Sequence, residues 1–167
     1  MRPADAIAIQ QIETAAGELF RDIGMSDIAD HPVPTIEVLA EYQRAGRSWV
    51  VVDDADLPIA FVLVKVIDDR AHIEQISIDP AVARRGIGRE LIDYVDAWAA
   101  DRGLPALTLT TFRDVPWNGP YYERLGFTEL TPDECGPDLA KLMTEEAAHG
   151  LEPAQRIAMW RASRPRR

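Results

Sequence analysis

Cysteine is almost missing from this 167-residue chain. Cys135 stands alone, so no disulfide can close within the chain, and a reducing compartment is the expected setting. Nothing basic flanks Cys135, which reads as an incidental thiol rather than a nucleophile. Histidine is scarce too: His31, His72 and His149 lie scattered, without metal-ligand spacing, and no metal is expected. Lysine occurs only at Lys65 and Lys141, the remaining positive charge being arginine. Acidic residues outnumber basic ones 28 to 18, for a net charge of −10. That balance, with no basic helix face, argues against a nucleic-acid partner. It favours cationic ligands such as amines, although acidity of this kind also serves solubility alone. No apolar run is long enough to cross a bilayer and no basic-then-apolar leader opens the chain, so a cytoplasmic protein without a membrane partner is expected. No Gly-Lys-Ser/Thr triplet exists, which excludes a Walker loop. Repeats, linkers and low-complexity tracts are absent, and the length suits one domain over residues 1–167, with 161–167 as a frayed basic tail.

What is present centres on residues 73–92, Ile-Glu-Gln-Ile-Ser-Ile-Asp-Pro-Ala-Val-Ala-Arg-Arg-Gly-Ile-Gly-Arg-Glu-Leu-Ile. Ile76 and Ile78 alternate with Gln75 and Ser77, the period of a strand with two unlike faces. Pro80 removes a ladder donor and should stop the strand at Asp79. From Ile87 the apolar residues Leu91, Ile92, Val95, Trp98 and Ala99 follow at helical spacing. Gly86 and Gly88 thus fall at a helix N-terminus, where unpaired N–H groups and the positive end of the dipole attract anions. Arg84 and Arg85 add side-chain donors suited to phosphate, although solvated arginines at an ordinary helix start would look the same. A dinucleotide fingerprint needs a third glycine where Leu91 stands, so that ligand class is excluded.

The segment Ala83-Arg84-Arg85-Gly86-Ile87-Gly88 resembles the acetyl-CoA pyrophosphate loop of the GNAT N-acetyltransferase superfamily, Gln/Arg-x-x-Gly-x-Gly/Ala, with Ala83 departing at the first position. Downstream, Tyr121-Tyr-Glu-Arg-Leu-Gly-Phe127 resembles the same family's Tyr-x-x-x-Gly-Phe element. The resemblance covers Ser48 to about Leu130. It implies an α/β fold with a mixed, mostly antiparallel central sheet flanked by helices, and a V-shaped cleft between two splayed parallel strands. It also implies acetyl-CoA as co-substrate, held by Ile76, Ser77 and Ile78 along the strand, by Arg84, Arg85, Gly86, Ile87, Gly88 and Arg89 at the loop, and by Asn118 and Tyr122. The acceptor, a primary amine of a small molecule or peptide, would attack the thioester directly. Tyr122 matches the family tyrosine that protonates the CoA sulfur, whereas packing alone would explain a helix-borne tyrosine. Glu74 is the candidate base, with His72 on the same strand face in reserve, and a solvated strand carboxylate is the plainer reading of Glu74. Helix capping is the plainer reading of Asn118. Asp22, Asp27, Asp30 and His31 fall where the family walls its acceptor pocket, and equally where any solvated loop would carry them. Two other readings compete: a non-catalytic acyl-CoA-binding sensor, and an interaction module without CoA binding. A homodimer is an assembly common among proteins of this type.

The other expected elements are helices over 4–23, from Ile36 to a stop at Gly46, over Val115–Leu125 and over Asp138–Ala148. The strands are expected at Ser48–Asp53, Ile59–Ile67, Arg70–Ile78, Ala106–Phe112, Phe127–Leu130 and Arg156–Trp160. Ile9, Ile12, Ala16, Leu19, Phe20 and Ile23 should share one buried side of the first helix. Thr131-Pro-Asp-Glu134 has capping-box spacing.

Overall fold

The computed structural model describes residues 1–164. Its helices are α1 (Ala6–Arg21), α2 (Ser26–Ala29), α3 (Ile36–Arg44), α4 (Ile87–Ala100), α5 (Gly119–Arg124) and α6 (Pro137–Ala148). Its strands are β1 (Ser48–Val52), β2 (Pro58–Ile67), β3 (Arg70–Ile78), β4 (Ala106–Phe112), β5 (Thr128–Glu129) and β6 (Arg156–Ala162). They form one mixed sheet in the order β1-β2-β3-β4-β6-β5, in which β3 and β4 run parallel while β1–β2, β4–β6 and β5–β6 are antiparallel. The parallel pair follows from the chain path, since β3 and β4 are joined by a crossover through α4. The chain divides into two compact units, one of Met1–Val64 with Gln75–Ile92, the other of Lys65–Glu74 with the chain from Asp93 onward.

In the first unit, Ala6, Ile9 and Ile12 of α1 pack with Leu39 of α3 and with Phe61 and Leu63 of β2. The rest of the expected α1 stripe is not used in this way: Leu19 and Ile23 are 37% and 43% exposed. The core is filled by the first half of the helix. Beyond it α1 is met by the single turn of α2, with the Ala29 carbonyl 3.6 Å from where a side chain on Gly17 would start. Pro3–Asp5 form a 3-10 turn, and no strand precedes α1 among the described residues.

In the second unit, β4 is registered with β3 over Ala71–Ile73 and Leu107–Leu109, and with β6 along its full length from Ala106↔Ala162 to Phe112↔Arg156. Arg161 and Ala162 therefore belong to a strand, and the expected tail from 161 does not begin there; residues 165–167 lie outside the described residues. Arg161 is 5% exposed. It donates to the Leu125 carbonyl at 2.9 Å and to Asp96 at 3.0 Å, and lies over the Phe127 ring at 4.9 Å. Burial lowers its pKa, partly offset by the Asp96 carboxylate.

The expected Val115–Leu125 helix is shorter. Val115–Asn118 makes a turn, and α5 opens only at Gly119, where a Cβ would stand 2.3 Å from the Arg113 carbonyl oxygen. The Thr131 capping contact forms, with its N–H and hydroxyl both donating to Glu134 at 2.8 Å, but it opens a 3-10 turn rather than a helix. α6 is capped from elsewhere. Asp68 and Asp69 take positive φ of 50° and 56° in the turn after β2, as a two-residue hairpin loop requires. The Asp68 carboxylate accepts from the backbone N–H groups of Asp138 and Leu139 at 3.1 and 3.0 Å. Cys135 packs by Leu130 and Leu139, where burial raises its thiol pKa.

Candidate active site

The first unit holds the candidate phosphate loop. Asp79 ends the strand by accepting from Ala81 N–H at 2.9 Å, and a 3-10 turn over Pro80–Val82 leads into it. Arg84 and Gly86 both adopt left-handed backbone, with φ of 66° and 82°. Alternating handedness of this kind turns successive N–H groups toward one side, forming an anion-binding concavity. A Cβ on Gly86 would meet open space, so glycine is needed there for its φ rather than for room. The first helical bond of α4 runs from Glu90 N–H to the Gly86 carbonyl, which leaves the N–H groups of Ile87, Gly88 and Arg89 outside the helical ladder. Arg84, Arg85 and Arg89 are exposed, whereas Ile87 and Gly88 are buried.

On β3 the same unit shows a contact that the strand pattern did not announce. The Ser77 hydroxyl donates to the carboxylate of Glu13 on α1 at 2.5 Å, and Gln75 Nε2 donates to it at 2.8 Å. Gln75 also donates to Ser77 at 3.2 Å. Ser77 is buried, while Ile76 and Ile78 are only partly so. The polar side of the strand thus faces a helix carboxylate, not water. Nothing local marks Glu13 in the sequence, because its partners lie far along the chain.

The second unit holds the candidate acid. Tyr122 sits on α5 with its ring buried, edge-on to Tyr121 at 5.4 Å and to Phe127 at 5.8 Å. Burial pushes its phenol well above the ordinary value, so it remains protonated at neutral pH. Asn118 does not cap α5 with its side chain. Its amide donates to Thr111 Oγ1 at 2.8 Å, and its carbonyl oxygen is buried without a partner. Turning the amide over would exchange roles with the Thr111 hydroxyl, and either way one polar end is left for a ligand.

Glu74 is not a freely solvated carboxylate. Lys65 Nζ donates to one of its oxygens at 2.8 Å, and His72 Nε2 lies 3.8 Å from the other. His72 is fully buried, with Nδ1 3.0 Å from Thr108 Oγ1. Burial, with help from the positive charges of Lys65 and Arg156, pushes its pKa down to about 3 and outweighs the Asp68 carboxylate, which acts to raise it. His72 is therefore a neutral structural imidazole and a weak base. Among the loop candidates, Asp30 is taken by Arg21 at 2.7 Å, while Asp22, Asp27 and His31 are exposed. Among the described residues no group of His, Cys, Asp and Glu is placed to hold a metal ion, and no helix is long and apolar enough to cross a membrane.

The profile of the acetyltransferase (GNAT) family matches residues 11–127. Over 76 residues the chain is 34% identical to the ribosomal protein bS18-alanine N-acetyltransferase of Salmonella typhimurium, covering 46% of this chain and 51% of that one. Over 91 residues it is 28% identical to a peptidyl-lysine N-acetyltransferase of the same organism, covering 54% and 57%. The chain thus spans about half the length of the curated relatives it matches. The solved structure of the ribosomal-protein-S18-alanine N-acetyltransferase of Escherichia coli superposes with a TM-score of 0.66 at 20% identity, covering 100% of this chain and 93% of that one, a likeness of fold. The family match takes in both the turn that feeds α4 and the Tyr122–Phe127 element, and on it the chain belongs to the acetyltransferase (GNAT) family.

Proposed function

We propose that this chain transfers an acetyl group from acetyl-CoA to a primary amine by direct attack, without an acyl-enzyme. The observation that carries the reading is the turn from Arg84 to Gly88, whose two left-handed residues and helix-start N–H groups at Ile87 and Gly88 fit a pyrophosphate. Ala83 removes one side-chain contact of the family pattern but no backbone donor. Acetyl-CoA supplies the activated acetyl group as a thioester. Ile87, Gly88 and Arg89 would bind the pyrophosphate through the backbone, with Arg84 and Arg85 adding charge. The backbone of Ile76, Ser77 and Ile78 would pair with the pantetheine arm as an added strand does. The leftover polar end of the Asn118 amide suits one of that arm's amides.

Tyr122 is assigned the proton for the departing thiolate, a role its burial supports by keeping it protonated. Deprotonation of the ammonium needs a carboxylate, and Glu74 is the one the family resemblance implies. The activities of the relatives, on the alanine of a ribosomal protein and on peptidyl lysine, support a peptide or protein amine as acceptor. The lone thiol supports a reducing, cytoplasmic setting. Homodimerisation is part of the same reading, and sedimentation tests it.

Calorimetric titration with acetyl-CoA, free CoA and NAD tests the reading. Micromolar or tighter binding of both CoA compounds and none of NAD is expected. Absence of CoA binding would overturn it in favour of an interaction module. Tight CoA binding with no thiol release for any amine would favour the sensor.

A further inference from the structure

Glu13 is a partly buried acid that the proposed chemistry has not used. Its carboxylate accepts from Ser77 Oγ and Gln75 Nε2. Burial raises its pKa, and these two bonds lower it only in part. None of the charged groups on the neighbouring elements relieves it. On α1, Glu18 and Arg21 pair with each other; α2 carries Asp27, with Asp30 at its end, and α3 carries Glu37, Glu41 and Arg44, none of them bonded to Glu13 among the described residues. A carboxylate withdrawn from water is normally matched by a cation. Glu74 has one in Lys65, and Glu13 has none among the described residues.

The two acids also serve different sides of β3. Side chains alternate along a strand, so Gln75 and Ser77 share the face turned to Glu13, whereas His72 and Glu74 share the other. Among the described residues, only the Glu13 face presents a carboxylate on β3 or against it with no cationic partner. The ammonium of the acceptor is a cation of the required kind.

We propose that Glu13 receives the acceptor's ammonium and is the general base that deprotonates it, an inference that rests on the acetyl-transfer reading and moves this role from Glu74. One N–H proton passes to the Glu13 carboxylate, and the freed lone pair attacks the thioester carbonyl. The C–N bond forms as the C–S bond breaks; the departing thiolate takes up one proton and the acylated nitrogen gives one up, leaving a thiol and an amide, and Glu13 releases its proton to solvent. A base whose pKa lies above the usual carboxylate value suits this task near neutral pH.

The test is Glu13→Gln, which keeps the size and an oxygen for the Ser77 hydroxyl but cannot take up the proton. Glu18→Gln on the exposed part of α1 is the control. Carboxyl carbon resonances are followed by NMR with pH, Glu13 being identified as the signal lost in Glu13→Gln. Its midpoint is expected above the ordinary glutamate value and to fall when n-butylammonium is added, but not with n-butanol. Thiol release is measured with acetyl-CoA and two peptides, one beginning with alanine and one with an internal lysine. Glu13→Gln should lose about 100-fold or more in kcat together with the acid limb of the pH profile, at unchanged acetyl-CoA affinity. Glu18→Gln should match the parent. Unchanged kcat and pH profile in Glu13→Gln would overturn the proposal. So would weakened acetyl-CoA binding at unchanged kcat, which would make Glu13 a brace for β3. If the parent turns over neither peptide, the NMR titration decides: a midpoint at the ordinary value and indifferent to n-butylammonium refutes the role. Failure of the parent to bind acetyl-CoA overturns acetyl transfer itself and is read separately.

Discussion

Replacing Arg161 by methionine keeps most of the side chain's length and removes the charge. The guanidinium is buried at 5% exposure, donates to Asp96 and to the Leu125 carbonyl, and covers the Phe127 ring. After the change Asp96, itself 5% exposed, keeps the Arg164 backbone N–H at 3.1 Å but loses its buried countercharge. Breaking a buried pair from one side costs about 3–5 kcal/mol, because the remaining charge is stranded. In a protein of this size 1 kcal/mol moves the melting temperature by roughly 2–4 °C, so a fall of about 6–20 °C is expected. Reversible thermal unfolding followed by circular dichroism measures it. The double variant Arg161→Met/Asp96→Leu should regain most of the loss, since buried pairs often exchange for apolar side chains at little cost. The Arg161 Nε has no partner in the structure, which makes that recovery more favourable still. A single variant melting within about 2 °C of the parent, or a double variant no better than the single, would refute the reasoning.

Gly86→Glu places a carboxylate in the phosphate loop, where repulsion of order 4 kcal/mol, reduced by salt to about half, should weaken CoA binding by about 30-fold in calorimetry. Unchanged affinity in the folded variant would remove the loop assignment. Tyr122→Phe should lower kcat by about 100-fold while sparing CoA affinity, because it deletes a proton donor and little volume; parental turnover would send the acid role elsewhere. His72 has a folded pKa of about 3 against an ordinary 6.5, so the unfolded chain binds the extra proton between those values. Its contribution to stability is complete above about pH 6.5 and declines by up to roughly 1.4 kcal/mol per unit as pH falls below it. His72→Asn should flatten the fall in urea stability between pH 7 and 5, and an unaltered slope would contradict a neutral buried imidazole.

Local signals in the sequence were strong where one segment decides its own structure. Pro80, the alternation before it and the apolar stripe after Ile87 place the end of β3 and the start of α4, and the β-rich run fixes β4 at Ala106–Phe112. Contacts between distant segments were not legible. Glu13 reads as one more polar position on an amphipathic helix until Ser77, 64 residues away, is brought to it. Arg161 looks like the start of a basic tail because its countercharge is 65 residues back, at Asp96. The Leu19 and Ile23 end of the α1 stripe promised burial that the first unit does not deliver, since periodicity reports amphipathicity and not the extent of the covering surface. The shortening of α5 has a backbone cause, the close approach of the Arg113 carbonyl at Gly119, which no side-chain pattern displays.

The Asp68 turn carries a consequence for redesign. A tight hairpin loop is ordinarily a place where a tag or a few extra residues can be spliced in without harm. Here the loop residue is also the cap of α6, and Gly136 is tight against it, with an added Cβ only 2.3 Å from the Asp68 carboxylate. Lengthening the loop by one residue would withdraw that carboxylate from two backbone donors on a helix 70 positions later. Insertion libraries should therefore tolerate the loop at Asp53–Asp56 far better than the one at Asp68–Asp69, although both read in the sequence as acidic turns between strands.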